Sequence, residues 1–177
     1  LSSTELKNKV SEVDILIPCV SDTIDASIIK SAKKLKLIAN FGNGVDNLDL
    51  VTAREENVIV TNTPDVLTED TADLVLTLVL MISRKVVEAQ KKISGGRWSG
   101  WGPSETMGER IRGKNFGIIG MGRIGKAVAK RLNILGVKIF YHNRNRLKNN
   151  EEKVLKAKYF ENLDLMITHC DIISIHC

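Results

Sequence analysis

Cysteine and long apolar runs are both scarce in this 177-residue sequence, and each scarcity argues against a class of protein. The three cysteines include no C-x-x-C pair, so we expect reduced thiols in a reducing compartment rather than a disulfide framework. The longest apolar run, "DLVLTLVLMI" at residues 73–82, is about half as long as a membrane span. No basic and apolar leader opens the sequence, so we expect a cytoplasmic protein with no membrane partner.

Charge of one sign is not concentrated anywhere along the chain. The sequence has 26 lysine and arginine residues against 21 aspartate and glutamate residues, which gives a net charge of +5. The basic residues are scattered along predicted helices and mixed with glutamate, as in "NNEEKVLKAK", a pattern typical of solvated helix faces. We therefore expect no nucleic-acid partner. The hydrophobic share of 43% is that of an ordinary soluble globular protein.

Hydrophobic periodicity predicts alternating strands and helices in the first half of the chain. It predicts strands at 13–20, 36–42 and 58–64, separated by short helices at 25–35 and 49–57. A long helix is predicted from Thr68 to about residues 93–96. Apolar residues at three- and four-residue spacing predict one buried stripe on this helix: Leu74, Val75, Leu78, Val79, Ile82 and Val86.

The second half follows a connector at residues 96–115 that is rich in glycine, serine and tryptophan. It shows strands at "FGIIGM", "VKIFYHN" and "DIISIHC", with helices from about Arg123 to Leu135, near 151–158 and at "DLMITHC". Such alternation predicts an α/β protein with parallel sheets and helices on both faces. Because the sequence starts at Leu1 and stops inside an apolar run typical of a buried strand, we expect it to be a fragment of a longer protein.

Three glycines, Gly120, Gly122 and Gly125, follow the strand "FGIIGM" directly and open the next helix with G-x-G-x-x-G spacing. In this context the first glycine permits a tight turn, the second lets the backbone approach a pyrophosphate, and the third allows close helix–strand packing. The amides of the helix N-terminus would then face the phosphates. The pattern therefore predicts a dinucleotide-binding site.

The end of the following strand predicts which dinucleotide is bound. Sites for NAD place an acidic residue there to bind the ribose 2′-hydroxyl, but this position falls on Asn143 and Arg144. No acidic residue occurs from Tyr141 to Arg146. Because asparagine can donate to phosphate oxygens and arginine can pair with them, we expect NADP to be favoured over NAD. The alternative is that Arg144 and Arg146 begin a solvated basic loop.

The segment "GKNFGIIGMGRIGKAVAKRL" resembles the cofactor-binding segment of the D-isomer-specific 2-hydroxyacid dehydrogenases. The likeness continues in the right order over "ANFGNGVDNLDL", "VTNTPDVLTEDTADLVLTLVL", "GRWSGW", "GERIRGKN" and "CDIISIHC". The sequence is most similar to the glyoxylate and hydroxypyruvate reductases of that family. The resemblance implies two Rossmann-like, doubly wound domains, both incomplete: residues 1–95 would be a substrate-binding domain without its first strand, and residues 96–177 the first half of an NAD(P)-binding domain. It also implies a homodimer at full length.

The resemblance further implies roles for individual residues. Main-chain groups of Asn43 and Gly44 would hold the substrate carboxylate. Thr71, in the first turn of the long helix, would face the nicotinamide end of the cofactor, with local capping as the alternative. The other expected cofactor-binding residues are Arg123 and Ile124 at the pyrophosphate, and His176 and Cys177 near the adenosine.

The reaction that the resemblance implies is reduction of a small 2-oxo acid, of the glyoxylate or hydroxypyruvate type, to a D-2-hydroxy acid. The family's catalytic arginine, glutamate and histidine all lie beyond the stretch that resembles residues 170–177. We therefore assign no catalytic residue and no metal ligand here, and we expect the 177-residue chain alone to be inactive. Two alternatives stay open: a cofactor-sensing, non-catalytic relative, and another nicotinamide dehydrogenase on this scaffold, such as a formate dehydrogenase.

Overall fold

The computed structural model describes residues 2–103 and 105–177. The chain divides into two compact units, Leu1–Leu67 and Thr68–Cys177. Each unit contains one parallel β-sheet together with helices, so the predicted α/β class is confirmed.

The first unit is built around a three-stranded sheet. Its elements are α1 (Ser3–Val10), β1 (Ile15–Leu16), α2 (Ala26–Ser31), β2 (Leu37–Ala39), α3 (Leu50–Glu55) and β3 (Ile59–Thr61). The strand order is β1-β2-β3, and Ile38 of the central strand pairs with Leu16 and Val60. Asp25 and Asp49 begin α2 and α3 by accepting hydrogen bonds from amides three residues on. The sequence pattern did not predict α1.

The second unit contains a four-stranded parallel sheet in the order β6-β5-β4-β7. Its elements are α4 (Thr68–Ser83), α5 (Val86–Ser94), β4 (Asn115–Ile119), α6 (Arg123–Ile134), β5 (Lys138–His142), α7 (Asn149–Leu155), β6 (Ala157–Tyr159), α8 (Leu163–His169) and β7 (Ile172–Ile175). The core lies between this sheet and α6, where Phe116, Ile118, Val128, Leu132 and Tyr141 are fully buried.

The prediction of one long helix from Thr68 to about residues 93–96 is wrong, because the structure has two helices there, α4 and α5. Lys85 adopts a left-handed conformation between α4 and α5, with φ of 50°. The connector returns to this point, and the amide of Glu109 donates to the carbonyl oxygen of Ser83 at 2.6 Å. A Cβ on Gly108 would lie 2.3 Å from that same oxygen, so only glycine allows the approach.

The compact units divide before α4, whereas the sequence places the boundary between residues 95 and 96. The structure groups α4 with the second unit because α4 packs along α6. Arg131 of α6 fixes this contact by bonding the carboxylates of Glu69 at 2.8 Å and Asp73 at 2.6 Å. Where the functional domains divide stays a prediction.

The predicted buried stripe on α4 is also wrong in part. Ala72 and Val79 are buried, but Leu74, Leu78 and Ile82 are 58%, 48% and 77% exposed. Leu78 and Ile82, together with β7, line an apolar groove of about 440 Å³. The packing of α4 on α6 therefore covers only one side of the helix.

Three properties of the described residues bear on the expected class of protein. None of the helices in residues 2–103 and 105–177 is long and apolar enough to cross a membrane. In the same ranges no cluster of histidine, cysteine, aspartate and glutamate is arranged to hold a metal ion. Cys19, Cys170 and Cys177 are free thiols, and burial raises the pKa of Cys170.

Candidate dinucleotide and substrate sites

The glycine loop lies at the carboxyl end of β4, and its first glycine is required by the backbone. Gly120 has φ of 95°, which disfavours any residue with a Cβ. A Cβ there would lie 2.7 Å from the main-chain carbon of His176. The tight turn therefore depends on glycine for both its conformation and the close passage of the chain after β7.

The other two glycines differ in what surrounds them. Gly122 precedes α6, and a Cβ built on it would meet no atom of the described residues within 4 Å, so the space beside it is open. Gly125 is buried, and its Cβ would lie 2.5 Å from the carbonyl oxygen of Gly120. Gly122 thus leaves room for a ligand against the backbone, whereas Gly125 lets α6 pack closely on the loop.

The start of α6 suits an anionic group. Among the described residues no side chain caps this N-terminus, and its first turn carries no acidic residue, so its amides and the helix dipole favour negative charge. Arg123 is exposed at the first helical position, and Ile124 packs against the core. The loop and helix start therefore fit a dinucleotide pyrophosphate, although binding itself stays a prediction.

Asn143 follows β5 and contacts the glycine loop directly. Its side-chain oxygen accepts a hydrogen bond from the amide of Met121 at 2.7 Å, and its carbonyl oxygen accepts one from the Tyr159 hydroxyl at 3.3 Å. The end of the second strand is therefore fixed beside the turn, where the sequence predicts the adenosine ribose.

The two arginines after Asn143 have different surroundings. Arg144 is exposed, and within the part of the chain that the structure describes its guanidinium makes no ion pair. Arg146 instead forms a two-point ion pair with Glu152, at 2.9 and 2.8 Å, and lies over the ring of Tyr159. Arg144 is therefore available to an anionic ligand, whereas Arg146 is already paired.

Glu152, the partner of Arg146, also bonds the buried Tyr141, and the sequence did not predict these contacts. Tyr141 donates to Glu152 at 2.7 Å and accepts from the amide of Leu147 at 2.9 Å. Burial, and then the hydrogen bond to Glu152, raise the pKa of Tyr141 to about 12. Hydrogen bonds from Arg146 and Tyr141 lower the pKa of Glu152. These contacts hold residues 143–148, the loop that contains Arg144, against Tyr141 and Glu152. Nothing in the local sequence indicated that Glu152 would take part.

The end of β7, for which the sequence predicts contact with the adenosine, lies beside the glycine loop. The amide of His176 donates to the carbonyl oxygen of Ile119 at 2.7 Å, and its ring Nε2 lies 2.9 Å from the hydroxyl of Ser174. Burial lowers the pKa of His176. Cys177 is exposed next to it. The structure thus brings both residues to the glycine loop, and their contact with a cofactor stays a prediction.

Thr71 occupies the first turn of α4, the position that the sequence predicts. It lies between Glu69 and Asp73, which both bind Arg131 of α6. The ion pairs fix the first turn of α4 against the helix that follows the glycine loop. The predicted role of Thr71 at the nicotinamide is untested.

The predicted substrate loop lies in the first unit, at the carboxyl end of β2. Asn43 and Gly44 are exposed there, whereas the neighbouring Gly42 is buried against Val20. The carbonyl oxygens of Asn43 and Gly44 accept side-chain amides of Asn62 and Asn40 at 2.8 and 2.7 Å. Both asparagines lie within sequence segments quoted for the resemblance, but the sequence indicated no role for either of them.

Comparison with known proteins identifies the family. Residues 76–177 match the D-isomer specific 2-hydroxyacid dehydrogenase NAD binding domain. The chain belongs to this family. It is 41% identical over 175 residues to a glyoxylate reductase of Thermococcus litoralis, covering 97% of this chain and 52% of that protein.

Solved structures share the fold of this chain. The TT0316 protein of Thermus thermophilus is 41% identical, with a TM-score of 0.91 over 100% of this chain and 55% of its own. A formate dehydrogenase from Granulicella is 29% identical, with a TM-score of 0.89 over 96% of this chain and 46% of its own. The resemblance read from the sequence is therefore confirmed. The chain spans about half the length of the curated relatives that it matches.

Proposed function

We propose that the full-length gene product reduces a small 2-oxo acid, of the glyoxylate or hydroxypyruvate type, to a D-2-hydroxy acid. The observation that carries this proposal is the glycine loop, in which Gly120 makes the turn and Gly122 leaves an open surface for a dinucleotide. Membership of the 2-hydroxyacid dehydrogenase family and similarity to glyoxylate reductases support the substrate class.

In this proposal the chain's own residues bind the cofactor and the substrate and orient them. The amides at the start of α6 hold the pyrophosphate, and main-chain groups at Asn43 and Gly44 hold the substrate carboxylate. When bound, the nicotinamide supplies the hydride. The proton donor and the arginine that clamps the substrate are expected outside residues 1–177, so no residue of this chain is proposed to be catalytic.

We also propose that NADP is preferred to NAD. The exposed Arg144 supports this preference, because its guanidinium can pair with a ribose 2′-phosphate. Asn143 supports it as well, since its oxygen is bound to Met121 and its side-chain NH₂ can donate to a phosphate oxygen. Glu152 lies near this loop, but its charge is paired with Arg146.

A cytoplasmic homodimer is the proposed state of the full-length protein. The exposed apolar face of α4, with Leu74, Leu78 and Ile82, supports burial of this helix in a larger assembly. Sedimentation of the full-length protein at several concentrations tests this proposal. A monomer at every concentration would contradict it.

Similarity to the Granulicella formate dehydrogenase makes oxidation of formate the second candidate reaction. One panel of assays separates the candidates: glyoxylate and hydroxypyruvate with NADPH or NADH, and formate with NADP or NAD, followed by chiral analysis of the product. Our proposal predicts consumption of reduced cofactor and formation of D-glycerate from hydroxypyruvate. Turnover of formate alone would favour the formate dehydrogenase, and cofactor binding without turnover would favour the non-catalytic relative.

A further inference from the structure

Three consecutive carbonyl oxygens in the predicted substrate loop are each bound on the protein side. The carbonyl of Gly42 accepts from the amide of Thr63 at 3.0 Å. The carbonyl of Asn43 accepts from the side-chain amide of Asn62 at 2.8 Å, and that of Gly44 accepts from the side-chain amide of Asn40 at 2.7 Å. The orientation of three successive peptide groups is therefore fixed.

A trans peptide group points its N–H opposite to its C=O, and the described part of the chain has no cis peptide bond. Fixing the carbonyls of Asn43 and Gly44 therefore directs the amides of Gly44 and Val45 away from the two asparagine side chains. Successive main-chain amides of this kind can converge on an anion. The asparagines thus set the direction of the groups that would meet a substrate carboxylate.

The placement of Asn40 shows that this arrangement is specific. The residue is only 1% exposed, and a buried amide is costly unless it is hydrogen-bonded. Its Oδ1 lies 3.4 Å from the side-chain amide of Asn47, which also donates to the carbonyls of Cys19 and Asp22 at 3.2 and 3.0 Å. Because Asn47 occupies the oxygen of Asn40, the NH₂ group of Asn40 is directed at Gly44.

We propose that Asn40 and Asn62 are positioning residues that direct the loop amides at the substrate carboxylate. Asn40 holds the peptide group after Gly44 from inside the unit, and Asn62 holds the peptide group before it from the surface. The proposal rests on the function proposed above. It adds two side chains that do not touch the substrate but set the geometry of the groups that do.

A general structural role predicts a different kinetic result from a positioning role. Loss of fold lowers the fraction of active enzyme, and so lowers kcat without changing KM. If the loop amides no longer point at the substrate carboxylate, the substrate binds more weakly. KM for the 2-oxo acid then rises, and KM for the cofactor stays unchanged. A hydrogen bond to a charged group is strong enough that turning one loop amide away from the carboxylate should raise KM for the 2-oxo acid about tenfold.

The test measures glyoxylate reduction by the full-length gene product with Asn62→Ala, Asn40→Ala and a control, Asn8→Ala. Asn62 is exposed, so its variant should fold even if the buried Asn40→Ala does not, while Asn8 is an exposed asparagine of α1 outside the loop. We expect KM for glyoxylate to rise about tenfold in Asn62→Ala and KM for NADPH to stay constant. Asn8→Ala should match the wild type in both.

Two results would overturn the inference, and they are distinguishable. An active wild type whose glyoxylate KM is unchanged in Asn62→Ala would show that the asparagine does not position the loop. A wild type that reduces no 2-oxo acid would refute the proposed function, and this inference with it.

Discussion

The side-chain oxygen of Asn143 accepts a hydrogen bond from the amide of Met121 at 2.7 Å, so one side chain joins the end of β5 to the glycine loop. This contact requires only an acceptor oxygen at position 143. An aspartate would satisfy it equally, and is the kind of residue that NAD sites place there. The hydrogen bond to Met121 therefore does not by itself select asparagine over aspartate at position 143.

The first prediction exchanges that residue. Asn143→Asp keeps the bond to Met121 but introduces a charge that repels a 2′-phosphate, so the ratio of kcat/KM for NADPH to that for NADH should fall at least about tenfold. Asn143→Ala removes the hydrogen bond to Met121 and should weaken the binding of NADPH and of NADH to a similar extent. Steady-state kinetics with each cofactor test this, and an unchanged ratio in Asn143→Asp would contradict it.

The second prediction separates two glycines of the same loop. Gly122→Ala should leave the thermal melting temperature close to wild type, because its Cβ meets no atom within 4 Å and φ is −79°. It should nevertheless weaken cofactor binding, because the methyl group fills the space left for the pyrophosphate. Gly120→Ala should destabilise the fold itself, since φ there is 95° and main-chain atoms lie within 3.0 Å of its Cβ.

Calorimetric titration with NADPH measures the cofactor affinity of each variant, and thermal melts measure its stability. Full cofactor affinity in a folded Gly122→Ala variant would show that the open surface is not the phosphate site.

The third prediction concerns pH. Glu152 has its pKa lowered below the ordinary value of 4.5 by hydrogen bonds from Arg146 and then Tyr141. Its ionised form therefore stabilises the folded state above about pH 4.5, and this contribution is lost as the pH falls through the lower, folded-state pKa. The difference in free energy of unfolding between wild type and Glu152→Gln should be positive at neutral pH and shrink below pH 4.5. Urea unfolding across that range tests it, with the exposed Glu161→Gln as control.

The fourth prediction is that purified residues 1–177 have no reductase activity. The proton donor is expected outside the chain, and general acid–base catalysis alone contributes about 10²–10⁴-fold. Assays with NADPH and glyoxylate or hydroxypyruvate should show no turnover above background. Turnover comparable to that of an intact dehydrogenase would place the acid–base group within these residues.

Much of the fold was predictable because local chemistry and tertiary structure agree. The glycine loop, α6 and the strands on either side of it occur where apolar periodicity and the three glycines place them. The aspartate caps of α2 and α3 are equally local signals. At such positions the residue type directly favours the local structure: glycine tolerates the φ of 95° at position 120, and an aspartate side chain accepts from the amide three residues on.

The rest depends on contacts that a local pattern does not contain. The break at Lys85 has no glycine or proline to mark it, and it is associated with the return of the connector to Ser83. Strand β6 follows Lys156, whose left-handed conformation is one that glycine usually marks. The pairing of Arg146 with Glu152 links a loop to a helix, and only the tertiary structure shows that one arginine is paired and the other exposed.

The most direct test of the account is the cofactor preference of the full-length gene product in glyoxylate reduction. We predict turnover with a higher kcat/KM for NADPH than for NADH, and a fall of that ratio by about one to two orders of magnitude in Arg144→Ala. Lys153→Ala, which removes an exposed charge from α7, should leave the ratio unchanged. Absence of glyoxylate reduction with either cofactor would contradict the proposed reaction, and a preference for NADH that Arg144→Ala does not alter would contradict the assigned role of this loop.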